Sequence, residues 1–280
     1  MKIPPSYSLY LCDTNLYNES IFIMKKVQLF LASLPLALSV ACGTTNELVF
    51  EDDFEGTGLP DSLRWNYEEG YVRNGELQYY TVARPENCYR QDGYLHIVVR
   101  RDSAVIENGL FASITTKGLA EWKYCRVEVR AKLPDGIGTW PAIWMMPADD
   151  TYGEWPKSGE MDIMENVGYE LPKVHYAIHT ETYNHTKNNQ KRHTVDCATV
   201  ATDFHVYGFE WREDKLTWYL DGVETYSVTK DETGWKAWPF DRPFYLILNF
   251  AFGGGWGGSQ GVDLDALPQE YIIDYVRVYR

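Results

Sequence analysis

The sequence predicts an all-β protein, a two-sheet sandwich or jelly roll, on three observations. Short runs rich in Val, Ile, Tyr and Trp recur from Leu48 onward, each bounded by Gly, Pro, Asp or Asn; this is the composition of strands and of the turns between them. Asp221-Gly222 separates LTWYL from VETYSV, and the pair suits the positive φ values of a type I′ hairpin turn. No stretch combines sustained 3.6-residue periodicity with helix caps. No linker, repeat or low-complexity tract divides residues 47–280. One domain over residues 43–280 is therefore expected, packed as sandwiches and jelly rolls are.

Residues 1–42 read as a leader. Met24-Lys25-Lys26 is a basic head, VQLFLASLPLALSVA is a short apolar run broken by Pro35, and Ala41-Cys42 follows. That order makes a secretory signal, too short for a comfortable membrane span. It resembles a bacterial lipoprotein signal with Cys42 as the lipidated residue. Ser39 stands where that pattern usually has Leu, and the alternative is an ordinary cleaved signal. Residues 1–23 precede the head, and Met24 is read as the true start. The expectation is export across the inner membrane and a lipid anchor at the bacterial cell envelope.

Beyond the leader the strand candidates begin with LVFEDDF, GELQYYTVA, GYLHIVVRR and YCRVEVRAKL. TWPAIWMM, EMDIMEN and KVHYAIHT follow, and then HVYGFEW, KLTWYL, VETYSV, FYLILNF and YIIDYVRVY. Asp149–Lys157 and Asn184–Arg192 read as loops. Of the 5 cysteines, Cys12 and Cys42 fall in the leader, leaving Cys88, Cys125 and Cys197. Their wide spacing without a CxxC pair argues against zinc. It leaves either one disulfide or buried free thiols.

Composition narrows the ligand. Aromatics make up 15% of the chain, with 10 Trp and 21 Tyr, too many for disorder. A formal net charge of −14 argues against nucleic acid or an anionic membrane, both of which need a basic footprint. A neutral ligand fits better. Strand alternation lets one set of aromatics build the core while the other lines a groove. Sugar rings stack their C–H faces on such rings, so a saccharide is expected.

The segment GEMDIMENVG at residues 159–168 sharpens this. Glu160 and Asp162 are two apart and share a strand face, whereas Glu165 falls on the other. In a regular strand Glu165 would enter the core unpaired, at a cost. A β-bulge around Ile163-Met164 would return it to the side of Glu160 and Asp162. Carboxylates packed so closely cannot all ionise freely, so at least one is expected to hold its proton near neutrality, as a general acid must. Two glutamates so placed suit a retaining glycosidase, whose carboxyl groups stand about 5–5.5 Å apart. The alternative, an exposed acidic edge, sits poorly with Met161, Ile163 and Met164 threaded among the acids.

GEMDIMEN resembles the E-x-D-x-x-E signature of glycoside hydrolase family 16, in the bulged, laminarinase-like branch. GTWPAIWMMP, VHYAIH, LNFAFGGGWGG and IIDYVRVY resemble further segments of that family, in family order, over about Leu48 to Arg280. The resemblance implies a jelly roll with an open cleft on its concave sheet. It implies that Glu160 is the nucleophile, Glu165 the acid/base and Asp162 the group that tunes the nucleophile. It places Trp140 and Trp144 beneath sugars on the non-reducing side and His179 close to the acid/base. Asn249, Trp256 and Arg84 become subsite candidates, the alternative being plain loop and surface residues. The family often binds a structural calcium on the convex face near the chain ends, and Asp274 is the nominee; catalysis itself needs no cofactor. The implied protein is an endo-acting retaining β-glucanase for β-1,3-glucan or mixed-linkage β-1,3/1,4-glucan, expected as a monomer. The alternatives are a galactanase of the same family and a non-catalytic glucan-binding lectin, which would lack a catalytic carboxylate.

Other signals carry less. GGGWGG at 253–258 satisfies GxGxxG and GGSQG at 257–261 satisfies GxSxG, but neither is followed by the helix those motifs require. His175 and His179 share a strand face without HExxH or a third ligand. Asn184-His185-Thr186 fits a glycosylation acceptor, but a bacterial-type leader makes the modification unexpected.

Overall fold

The computed structural model describes residues 47–102, 106–231 and 234–280. The leader, with Cys42, lies outside the described residues. Along the chain the strands are β1 (Leu48–Asp52), β2 (Asn66–Tyr67), β3 (Tyr79–Tyr80), β4 (Cys88–Gln91), β5 (Tyr94–Asp102) and β6 (Ile106–Phe111). Next come β7 (Ser113–Thr115), β8 (Arg126–Lys132), β9 (Thr139–Pro147), β10 (Glu160–Glu165), β11 (Lys173–His179) and β12 (Lys191–Asp196). The last are β13 (His205–Trp211), β14 (Lys215–Leu220), β15 (Val223–Thr229), β16 (Phe244–Phe252) and β17 (Gln269–Tyr279). Ten strands form one sheet, ordered β15-β14-β13-β8-β17-β5-β6-β3, with β1 on β17 and β4 on β5. Seven form the other, ordered β12-β11-β10-β9-β16-β7-β2.

Alternation builds the sandwich. In β8, Val127, Val129 and Ala131 are buried while Arg126, Glu128, Arg130 and Lys132 turn outward. β16 differs, being buried on every residue. Phe244, Leu246, Leu248, Phe250 and Phe252 enter the main core. Tyr245 and Ile247 pack on the other face with Ala142 and Trp144. The outer face of the seven-stranded sheet is thus covered by its own side chains, which form the floor of a cleft. Cutting a core ring such as Phe250 back to Ala costs about 3–5 kcal/mol.

Asp221 (φ 51°) and Gly222 (φ 79°) adopt the expected hairpin turn between β14 and β15. Two sequence expectations need correction. Asn184–Arg192 is not all loop, because a 3-10 turn covers His185–Lys187 and β12 starts at Lys191. β12 is a mostly exposed edge strand, so no apolar alternation marked it. GELQYYTVA supplies only the two residues of β3. The cysteines beyond the leader are free thiols, Cys88 and Cys125 buried and Cys197 partly so.

Candidate active site

The site begins with a slip in β10. Against β9, Met161 faces Met145 and Asp162 faces Trp144, but Met164 then faces Ile143. Against β11, Asp162 faces Ala177 and the next partners are Glu165 and His175. Ile163 is the extra residue. Ile163 and Met164 both enter the core, and Glu165 emerges beside Glu160 and Asp162, all three lining one cleft of about 750 Å³. The bulge expected from the acid spacing is therefore present, and for the expected reason: two successive apolar residues turn inward, and the alternation restarts.

An indole grips each glutamate. Trp155 Nε1–H donates to Glu160 Oε2 at 2.6 Å, and Trp140 Nε1–H donates to Glu165 Oε1 at 3.0 Å. Trp140 and Trp144 both line the cleft, as residues four apart on a strand should. Trp144 Nε1–H donates to Asn249 Oδ1 at 2.7 Å, and Asn249 Nδ2–H to the Tyr80 hydroxyl at 2.9 Å. Asn249 is thus a buried brace for Trp144 at the cleft floor. Trp256 stands edge-on to Trp140, with ring centroids 5.4 Å apart at 79°. The glycines around it permit this approach. A Cβ on Gly257 would lie 2.7 Å from the Gly253 carbonyl oxygen and 3.0 Å from Trp140 Cβ.

The carboxyl groups sit in an uneven field. Burial, then the charges of Asp162 and Glu160, push Glu165 well above the usual carboxylate range; His179 and the Trp140 N–H oppose this. Burial, then the charge of Glu160 and a hydrogen bond with it, push Asp162 up likewise. His179 Nε2 lies 3.3 Å from Asp162 Oδ2 and 3.9 Å from Glu160 Oε1. The His185 backbone N–H points at His179 Nδ1 from 3.4 Å, which favours the tautomer with its proton on Nε2, facing the acids. Burial pulls His175 down to about 4, so it is neutral at pH 7.

His179 pairs with Glu160 across the β10–β11 register while its charge also acts on Glu165, and His175 stands directly opposite Glu165. Two nominations are revised. Arg84 does not line the cleft. Its carbonyl closes a turn onto Asn87 and Cys88, and the buried Asn87 amide bonds the carbonyls of Val98 and Leu110, tying that turn to the ten-stranded sheet. Arg73 enters the cleft instead, ion-paired with Glu68 and stacked 4.9 Å over Trp144. Asp274 does not fit as a calcium anchor, because its carboxylate is ion-paired with Arg130. Among the described residues the one cluster of three close His, Cys, Asp or Glu ligand atoms is Glu160, Asp162 and His179. Sequence reasoning missed Arg73, Trp155 and His185. Trp155-Pro156, just ahead of Glu160 in a turn-rich stretch, was a usable signal; Arg73 offered none.

Comparison with known proteins shows the family and the fold. The model of the glycosyl hydrolases family 16 matches residues 76–277. The beta-glucanase of Rhodothermus marinus is 46% identical over 243 residues, covering 84% of this chain and 85% of that protein. The X-ray structure of the laminarinase from Rhodothermus marinus aligns with a TM-score of 0.81 at 46% identity, over 84% of this chain and 97% of that one. A mutant of SCLam, a non-specific endo-β-1,3(4)-glucanase crystallised with a 1,3-β-D-cellobiosyl-glucose at its active site, aligns with a TM-score of 0.80 at 42% identity, over 85% of this chain and 96% of that one.

Proposed function

The chain belongs to the glycosyl hydrolases family 16, and on that premise we propose that it is an endo-acting, retaining β-glucanase for β-1,3-glucan and mixed-linkage β-1,3/1,4-glucan. The observation that carries the reading is the slip at Ile163, which sets Glu160 and Glu165 into one aromatic-lined cleft. Glu160 attacks the anomeric carbon while Glu165, kept protonated by burial and neighbouring charge, gives its proton to the departing glycosidic oxygen. Glu165, now a carboxylate, takes a proton from water, which attacks the same carbon and releases Glu160. Asp162, pushed upward by burial and by the charge of Glu160, hydrogen-bonds Glu160 and tunes the nucleophile's charge. The Trp155 N–H supports the same charge. Trp140, Trp144 and Trp256 are platforms for sugar rings, and Asn249 acts through Trp144.

A product profile on laminarin, lichenan, barley mixed-linkage glucan and agarose tests the substrate. Internal cleavage of the glucans is expected; agarose cleaved in their place would turn the reading to the galactanase alternative. Proton NMR of early products should show the β-anomer first, and α-anomer first would overturn retention. The lectin alternative required a lost carboxylate, and both glutamates are in the cleft.

We also infer, from the leader alone, export and lipidation at Cys42, with a monomeric catalytic domain. Cys42→Ala should release the protein from the envelope fraction. Unchanged membrane association would refute the anchor.

A further inference from the structure

β14 belongs to the ten-stranded sheet, across the core from the cleft. Its Trp218 is fully buried, and the indole N–H donates to the carbonyl oxygen of Asp162 at 2.8 Å. In a regular strand the carbonyls lie in the plane of the sheet and point at neighbouring strands. A carbonyl that receives a bond from the opposite sheet has turned out of that plane. Asp162 is the last residue paired in step before the slip at Ile163. The bond therefore falls on the peptide where the bulge begins.

The donor is itself held. Trp218 packs against Phe209 and Tyr226, with ring centroids 5.0 Å and 5.1 Å away, and lies 6.2 Å from Tyr176 of β11. The pairing of β14 with β15 slips beside Trp218, leaving Thr225 as the extra residue. The Thr225 hydroxyl lies 3.2 Å from both the Trp218 carbonyl and the Tyr176 hydroxyl. A slip in one sheet thus sits across the core from the slip in the other, joined by one N–H···O bond, and close packing leaves the indole little room to swing.

We propose that Trp218 is a positioning residue for the acid pair: its N–H holds the Asp162 peptide turned toward the core, fixes the bulge at Ile163 and thereby sets Glu165 against Glu160 without touching the cleft. The inference rests on the roles proposed above for those two glutamates.

Trp211 supplies a matched control. It is nearly as buried as Trp218, and its N–H also donates to a backbone carbonyl, at 3.1 Å, but to that of Phe240 and not to a β10 peptide. Trp218→Phe and Trp211→Phe delete the same ring volume and the same kind of bond. Both should lower Tm. Only Trp218→Phe should lower kcat on laminarin, by about 100-fold, the scale of a misplacement of about 1 Å, with KM held within about twofold. Its pH profile should move as well. Glu165 faces Glu160 and Asp162 on its own strand, His175 and His179 on β11, and the Trp140 N–H on β9. Moving it away from the acids and the buried wall lowers its pKa, so the basic limb shifts to lower pH, which a purely structural role would not do. Replacing Trp218 with benzothienylalanine, which keeps the bicyclic shape and lacks only the N–H, decides the matter if Trp218→Phe does not fold. An active wild type with equal kcat in the Trp218 and Trp211 variants, or an unmoved basic limb, overturns the inference alone. A wild type inactive on both glucans overturns the functional reading and the inference together.

Discussion

In the ten-stranded sheet, β17 pairs Ile273 with Ala131 and Tyr275 with Arg130, leaving Asp274 as the extra residue, just as Ile163 is the extra residue of β10 in the other sheet. Both slips sit beside carboxylates, and the surroundings then diverge. Asp274 meets the guanidinium of Arg130 on a partly exposed face. Among the described residues no Lys or Arg pairs with Glu160, Asp162 or Glu165; their partners are indole N–H groups, His179 and each other. The same backbone device serves two ends. Beside a cation a carboxylate is a neutralised strut, whereas in a buried wall among other acids it is driven to hold a proton. What makes β10 chemical is thus the charge that the neighbouring strands withhold.

The comparison breaks first on activity. Glu160→Ala should abolish turnover, and Glu165→Gln should lower kcat by about 100- to 10,000-fold. Both should retain oligosaccharide binding by calorimetry, while Asp274→Asn keeps wild-type kcat. Near-normal hydrolysis by either glutamate variant would refute its role.

Stability should move in opposite directions at the two slips. A carboxyl raised in the folded state stabilises below its unfolded pKa, and that contribution is lost as pH rises through the folded pKa. Asp162 and Glu165 are both raised, so each costs stability at pH 7. Glu165→Gln and Asp162→Asn should therefore raise Tm at pH 7, by about 2–4 °C for each kcal/mol relieved. The gain should vanish near pH 4, in the ordinary carboxylate range of about 3.9–4.3. A neutral-pH loss in both would show that their hydrogen bonds outweigh the burial of charge.

Trp140→Phe tests the donor that replaces a cation. Its N–H favours the ionised form of Glu165, so its removal should raise that pKa and move the basic limb of kcat to higher pH, the reverse of the Trp218→Phe shift. The smallest effect belongs to Arg130→Met. Arg130 and Asp274 are both partly exposed, and such pairs contribute about 0–1 kcal/mol. Equilibrium unfolding in urea should show that much and no change in kcat; a larger loss would mark the second slip as a structural keystone.

Much of this was legible locally. Strands HVYGFEW and KLTWYL were delimited to the residue, because apolar content and turn residues mark both ends. The bulge was legible because Glu165 in a regular strand would have been an unpaired charge in the core. β12 was missed because an exposed edge strand carries no apolar period. Arg84 was preferred to Arg73 because nothing within a few residues says which arginine folds toward Trp144. The place of His175 directly opposite Glu165 was not legible, because the register between β10 and β11 depends on the slip itself.

The sequence alone determined the all-β class, the hairpin at Asp221-Gly222 and the order of the three acids on β10, since these follow from steric and burial rules acting within about ten residues of chain. Only the tertiary structure decided which groups surround those acids. Trp140, Trp218 and the His179 register come from separate strands, and Trp218 from the opposite sheet. A carboxylate's proton affinity is set by charges and desolvation at contact distance in space, and that distance exists only once the two sheets have closed on each other.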